Sequence, residues 1–248
     1  MTLELELEQT VVDAWPALER VDLDGWLLRA SGGPTHRGNS VATLAAGSAL
    51  SLSARIDRVE AWYRERGKPP MLQVGPCAVP QGLDAELAAR GYRQEGGALM
   101  TLANTQAVVL GSTTELRGEV DTTPSASWLA IAAGASRFAS SREVFLGFLE
   151  RLGDRCRFVT GYDKDGNAAA VCLGIASEAR MGVYAMFTLP AYRRRGAARA
   201  ALNALARDAI ESGTSELYLL VEGENLAARG LYGACGFRDV YAYHYRVR

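Results

Sequence analysis

The chain has 248 residues and a net charge of −1, from 27 Lys and Arg against 28 Asp and Glu, with 48% hydrophobic and 22% charged residues. That composition suits a folded chain long enough for two domains and excludes disordered, collagen-like and coiled-coil proteins. No apolar run approaches the ~20 residues of a membrane helix, and the even charge argues against a broad nucleic-acid surface while leaving room for one local anion site.

The four cysteines (Cys77, Cys156, Cys172, Cys235) are widely spaced, and two histidines, His36 and His244, are too few for a structural zinc site. No metal is therefore expected. The opening MTLELELEQT is acidic and lacks the cationic flank of a signal or transit peptide. A reduced, cytoplasmic protein is the expectation.

In residues 1–104 the pattern reads strand, strand, helix, strand, helix, strand, with strand signals at Trp26–Leu28, Thr43-Leu44 and Leu72–Val74 and a helix at Ile56–Arg66. The two early helices expected further along have no counterpart here. Between the first strands lies the polar cluster Thr35-His36-Arg37-Gly38-Asn39-Ser40. It reads as a hairpin loop or as groups reaching an acceptor pocket, where His36 could serve as acid, base or ligand. A linker is expected in Ala103–Thr114, rich in Thr, Asn, Gly and Ser.

Beyond it, Trp128–Phe138 and Glu143–Leu152 carry helical spacing. Arg157–Tyr162 reads as a strand closed by the turn Asp163–Asn167. Ala168–Ala176 and Met181–Leu189 form a predicted hairpin, ended by Pro190. The long helix Arg195–Ser212 has the stripe Leu202, Leu205, Ala206, Ala209, Ile210 and stops at Gly213. Leu217–Val221 is a buried-type strand. Leu226–Cys235 is a helix capped by Asn225 with Gly236 past its end, and Phe237–Val247 a last strand.

The two halves match. A shift of 145 residues sets Gly91-Tyr92 on Gly236-Phe237, Leu44 on Leu189, Leu72 on Leu217 and Val74 on Leu219 without gaps. The expected architecture is therefore α+β, with an α/β-type mixed sheet, in two similar lobes of residues 1–104 and 105–248.

Four arginines in seven residues, Arg193-Arg194-Arg195-Gly196-Ala197-Ala198-Arg199, open the long helix. A helix start already carries partial positive charge, so basic residues there make sense when an anion is bound. Gly196, Ala197 and Ala198 let a backbone approach that anion closely. The plainer reading is a solvated arginine patch, which has no need of small residues at these positions.

These residues resemble the GCN5-related N-acetyltransferase (GNAT) superfamily. Arg193, Gly196 and Ala198 match its coenzyme A signature Arg/Gln-x-x-Gly-x-Gly/Ala. A second signature follows as Asn225-x-x-Ala228-x-x-Leu231-Tyr232-x-x-x-Gly236-Phe237. The resemblance covers about 105–248 directly and 1–104 through the repeat, and it implies the acyl-CoA N-acyltransferase fold, no metal, and acetyl-CoA as cosubstrate. The backbone of Phe187, Thr188 and Leu189 would pair with the pantetheine arm. The amides of Arg194, Arg195, Gly196, Ala197, Ala198 and Arg199 would cradle the pyrophosphate. Asn225 would contact pantetheine, and Tyr232 would stand by the sulfur as general acid. Asn225 is equally a helix cap, and Tyr232 equally a core aromatic beside Ala228, Leu231 and Cys235.

Some members of the family carry a base, a glutamate, on the fifth strand, five residues before the motif's Asn; here that position is Leu220. Glu222, two residues on, is the candidate that strand alternation puts on the same side; Glu143 and Glu178 are weaker ones. In the first lobe, residues 48–54 replace the arginine run, Pro80 stands opposite Asn225, and Leu87 opposite Tyr232. That copy is expected to be degenerate. The implied reaction moves an acetyl group to a primary amine of a small molecule or peptide, with the acceptor set by loops around Ser136–Arg142, by the family's fourth strand and by the first lobe. The alternative is an acyl-CoA-binding sensor without turnover.

Overall fold

The computed structural model describes residues 1–248, which form two compact units: Met1–Leu99 with Tyr241–Arg248, and Met100–Val240. The elements alternate as the apolar spacing predicts. In the first unit, α1 (Leu3–Ala14) is followed by β1 (Glu19–Leu23), β2 (Trp26–Ala30), β3 (Val41–Ala42), α2 (Leu52–Glu65), β4 (Met71–Val74), α3 (Leu83–Ala89) and the start of β5 (Arg93–Asn104). The second unit takes the end of β5, then α4 (Thr105–Gly111), β6 (Gly118–Asp121), α5 (Ala126–Ala132), α6 (Arg142–Leu152), β7 (Cys156–Tyr162), β8 (Ala168–Ala176), β9 (Arg180–Thr188), α7 (Ala197–Glu211), β10 (Glu216–Val221) and α8 (Leu226–Ala234). The last strand, β11 (Arg238–Val247), ends in the first unit.

In the first unit the strands lie in the order β1-β2-β3-β4-β11, antiparallel except for the parallel pair β3 and β4. Trp26 and Leu28 of β2 and Leu72 of β4 bury one face against Ile56 and Val59 of α2 and Leu83 and Leu87 of α3. In the second unit the order is β5-β10-β9-β8-β7-β6, with β9 and β10 parallel and the β6 to β9 meander antiparallel. Parallel neighbours need a crossover, and α7 supplies it with Leu202, Leu205, Ala206 and Ala209 buried.

The shift of 145 residues carries β2 onto β8, β3 onto β9, α2 onto α7, β4 onto β10, α3 onto α8 and β5 onto β11. It does not carry β1 onto β7. The turn between β1 and β2 is two residues, Leu23 pairing Trp26, whereas β7 and β8 are joined by a longer one.

Four expectations change. The first unit does have an early helix: α1 is capped by the Thr2 side chain, and its Leu7, Val11 and Val12 are buried at helical spacing beneath an alternating Leu-Glu opening. Residues 103–114 are no open linker but the end of β5 and helix α4, which Asn104 caps by accepting from the Gln106 N–H. The helix expected at Trp128–Phe138 stops at Ala132, because Gly134 follows and the Ser136 hydroxyl takes the Ala132 carbonyl. Helix α7 begins two residues later than expected, since Gly196 takes φ +95° as its N-cap.

Candidate active site

The central feature of the second unit is a pair of parallel strands that part. The ladder of β9 and β10 runs from Arg180 opposite Glu216 to Val183 opposite Leu219. β9 then continues to Thr188 and β10 to Val221 without pairing to each other. A bulge marks the parting. Against β8, Leu173 faces Tyr184 and Val171 faces Phe187, so Ala185 and Met186 together oppose Cys172. Ala185 takes φ +48° to do so, a conformation that a residue with a Cβ adopts only under tertiary constraint. An extra residue bends and twists a strand. Phe187 and Thr188 keep their β8 partners, and the Leu189 N–H donates to the Ala169 carbonyl at 3.0 Å. Their other edge faces the gap and can take an added strand.

The chain then turns through Pro190–Tyr192 into the arginine run. Arg194 has φ +62° and Gly196 φ +95°. The first helical hydrogen bond runs from the Ala200 N–H to the Gly196 carbonyl at 3.0 Å. The amides of residues 194–199 therefore stay outside the helical ladder, as the first turn of any helix leaves them. Alternating left- and right-handed residues at a helix start make a concave nest of N–H groups suited to an anion. Beneath it, Ala197 packs with Ala169 and Ala170, flanked by Tyr192 and Ala198.

The arginines divide in use. Arg194 and Arg195 are exposed. Arg193 donates weakly to the Thr188 carbonyl at 3.4 Å. The Arg199 guanidinium is spent elsewhere, donating to the Gly111 carbonyl at the end of α4 at 2.6 Å. Only its amide belongs to the nest.

Tyr232 lies on α8, buried at 8% exposure, its ring edge-on to Phe237 with centroids 5.8 Å apart. Burial, then the neighbouring thiols of Cys172 and Cys235, push its pKa above the ordinary phenol value. The group is a protonated hydrogen-bond donor throughout the physiological range. Asn225 caps α8, its Oδ1 accepting from the Ala228 N–H at 3.1 Å, so the capping role is realised. Glu222 is exposed and one residue beyond β10, in a turn where its carbonyl accepts from the Asn225 N–H at 3.0 Å. Strand alternation does not extend to it.

Sequence reasoning overlooked two parts. The hydroxyls of Tyr184 and Tyr218 hydrogen-bond at 3.0 Å, buried where β9 and β10 part. Gly182 makes room for both rings, since a Cβ there would stand 2.4 Å from Tyr184 and 2.7 Å from Tyr218. Isolated glycines within strands were the available signal. The bulge at Ala185 has none, because nothing in an alanine announces a positive φ.

A family model described as "Probable histone acetyltransferase Rv0428c C-terminal" matches residues 5–247. Among curated relatives, the "Uncharacterized N-acetyltransferase YobR" of Bacillus subtilis is 27% identical over 248 residues, covering 98% of each chain. The "Probable histone acetyltransferase Rv0428c" of Mycobacterium tuberculosis is 44% identical over 94 residues, which is 36% of this chain and 27% of that protein. Of solved structures, a GCN5-related N-acetyltransferase from Kribbella flavida superposes with TM-score 0.73 at 14% identity, over 100% of this chain and 96% of that one. A tandem GNAT protein from the clavulanic acid biosynthesis pathway gives TM-score 0.65 at 13% identity, over 98% and 87%.

Proposed function

The chain belongs to the GNAT-type N-acetyltransferase family represented by the Rv0428c C-terminal region, and from that premise we propose that it moves the acetyl group of acetyl-CoA to a primary amine, with residues 105–248 as the catalytic lobe and 1–104 as a degenerate one. The observation that carries this reading is the parting of β9 and β10 directly before a nest of free amides. An extended polar arm and a diphosphate fit that pair of features, which no other stretch of the chain combines.

Acetyl-CoA, when bound, supplies an acetyl thioester whose carbonyl an amine can attack. In this reading the open edge of Phe187, Thr188 and Leu189 holds the pantetheine arm. The amides of Arg194, Arg195, Gly196, Ala197, Ala198 and Arg199 hold the pyrophosphate, with the exposed Arg194 and Arg195 side chains adding charge. Backbone N–H groups freed by the bulge would stabilise the oxyanion that develops as the amine attacks. Asn225 both caps α8 and presents its amide toward the arm.

Tyr232 donates a hydrogen bond to the leaving sulfur. Its raised pKa refines the role: full transfer to a thiolate whose thiol titrates near ~8.5 runs uphill from a phenol above ~10. Stabilising the thiolate, rather than protonating it outright, is what this group does best. Glu222 takes the amine's proton directly or through water.

Leu220, half-buried on β10 in place of an acid, favours a second reading, a sensor that binds acyl-CoA without turnover. A thiol-release screen over amines, amino acids, polyamines and peptides separates the two. Thiol release that depends on one class of amine supports the enzyme. A rise in Tm with acetyl-CoA and no release across the panel supports the sensor.

A further inference from the structure

A cavity of about 490 Å³ lies at the end of α2 in the first unit. It is lined by Glu60 and Arg64 of α2, by Gly67, Lys68 and Pro70 of the turn into β4, and by Arg248 just past β11. Three of these side chains are cations and one is an acid. The acid is already engaged. Glu60 Oε1 accepts from Arg248 Nη1 at 2.6 Å and from the Tyr92 hydroxyl at 3.2 Å, with Arg90 Nη1 4.0 Å away. Lys68 Nζ donates to neutral oxygens, the Ser31 carbonyl at 3.0 Å and the Asn39 Oδ1 at 3.4 Å, which fix its place without cancelling its charge. Arg248 is held by Glu60 and by its own N–H, which donates to the Pro70 carbonyl at 3.3 Å. Arg64 is exposed.

Basic residues at a helix end ordinarily answer the partial negative charge of its last carbonyls. Here backbone N–H groups already do so. The Tyr63 carbonyl accepts from the Arg66 and Lys68 N–H groups at 3.1 and 3.0 Å, and the Arg64 carbonyl from the Gly67 N–H at 3.0 Å. Gly67 takes φ +60° to close that turn. The neighbouring Arg66 has a structural use, since its guanidinium lies 3.7 Å over the Trp62 ring and its Nε donates to Glu19 at 2.9 Å. Arg64 instead stands at the cavity. A Cβ at Gly67 would meet no atom within 4 Å, so the space beside the turn is open.

We propose that this cavity binds a small phosphorylated compound through its phosphate groups. Two guanidinium groups and one ammonium offer the forked and point-charge donors that phosphate oxygens take up. The volume falls within the range of about 300–1,000 Å³ usual for small-molecule sites. None of the lining residues is aromatic, so recognition runs through charge rather than through the stacking of a base. A singly charged carboxylate would leave part of the positive charge unanswered. The site is separate from the acetyl-CoA features of the second unit and is independent of whether that unit turns over.

The test is calorimetric titration of the full chain with inorganic pyrophosphate, against acetate at matched ionic strength. Pyrophosphate is expected to bind about tenfold or more tightly than acetate, and less tightly as salt rises. The amide nest proposed for the second unit also suits a diphosphate, so variants assign the site. Arg64→Glu is expected to remove one equivalent of bound pyrophosphate with Tm nearly unchanged, because Arg64 is exposed. Arg195→Ala is expected to leave that equivalent in place. The proposal is overturned if the wild type binds no pyrophosphate, or binds acetate as tightly. It is equally overturned if Arg64→Glu titrates like the wild type, or if Arg195→Ala loses the same equivalent.

Discussion

Gly118 and Gly161 stand opposite one another across β6 and β7, and each receives a carbonyl from the first turns of α7. A Cβ at Gly161 would lie 2.1 Å from the Ala197 oxygen, and one at Gly118 2.3 Å from the Ala200 oxygen. Two glycines facing each other let the helix start settle against the sheet at backbone distance. That contact fixes where the amide nest points.

Gly161→Ala is therefore expected to push the start of α7 away from the sheet. Backbone oxygen cannot yield as a flexible side chain can, so the strain should cost about 1–3 kcal/mol of stability. Affinity for coenzyme A should fall with it, about tenfold or more, because the amides move together. Urea unfolding and calorimetric titration check both. A variant that unfolds earlier yet binds coenzyme A as well as the wild type would detach this contact from the nest.

How far the sequence reaches is visible in the same region. The α7 stripe, the Asn225 cap and the strands of the β8–β9 hairpin follow from side-chain periodicity, and they lie where the spacing puts them. The arginine run and Gly196 marked the start of α7 for the same reason, since charge and a missing Cβ are properties of single residues. What the sequence hides is relational. Ala185 becomes a bulge only because β8 pairs on both sides of it, and Arg199 turns to the Gly111 carbonyl only because α4 ends beside α7. The segment at residues 103–114 misleads because its Thr and Asn are strand-end and capping residues as much as linker residues. The pairing of β11 with β4, His244 opposite Val74, brings the C-terminal strand onto a strand about 170 residues earlier, and no local pattern encodes it.

The arginines offer a direct contrast. Arg195 is exposed, and Arg199 is tied to Gly111. Arg195→Ala should leave Tm nearly unchanged and weaken coenzyme A binding about threefold to tenfold, with the loss shrinking as salt rises. Arg199→Ala should instead leave the Gly111 carbonyl unsatisfied and cost about 1–3 kcal/mol of stability, with little salt dependence in binding. Titrations at two ionic strengths beside melting curves separate them. Identical behaviour of the two variants would refute the division.

Tyr232→Phe keeps the ring, its packing on Phe237 and its burial, and removes only the hydroxyl. A lost hydrogen bond to a developing thiolate is expected to lower kcat about tenfold to a hundredfold with KM for acetyl-CoA little changed. Because the phenol stays protonated well above neutrality, the pH profile of the residual rate should keep its shape. Steady-state rates across pH read both quantities, and an undiminished kcat would remove Tyr232 from the chemistry.

Glu8 on α1 provides a pH test of the first unit. Its carboxyl is 1% exposed, and although the Cys77 N–H donates to it at 3.3 Å, burial raises its pKa to about 7. In the unfolded chain the same group titrates near ~4.3. Between these values the folded chain holds the extra proton, so the stabilising contribution is fully present below about pH 4 and is lost as pH rises toward 7. Glu8→Gln keeps an oxygen for Cys77 and has no charge to bury. It should flatten the pH dependence of unfolding in that window and exceed the wild type by roughly 3–4 kcal/mol above pH 7. Urea unfolding from pH 4 to 8 measures the slope directly, and an equal slope in both proteins would mean that Glu8 is ionised throughout and paired in some other way.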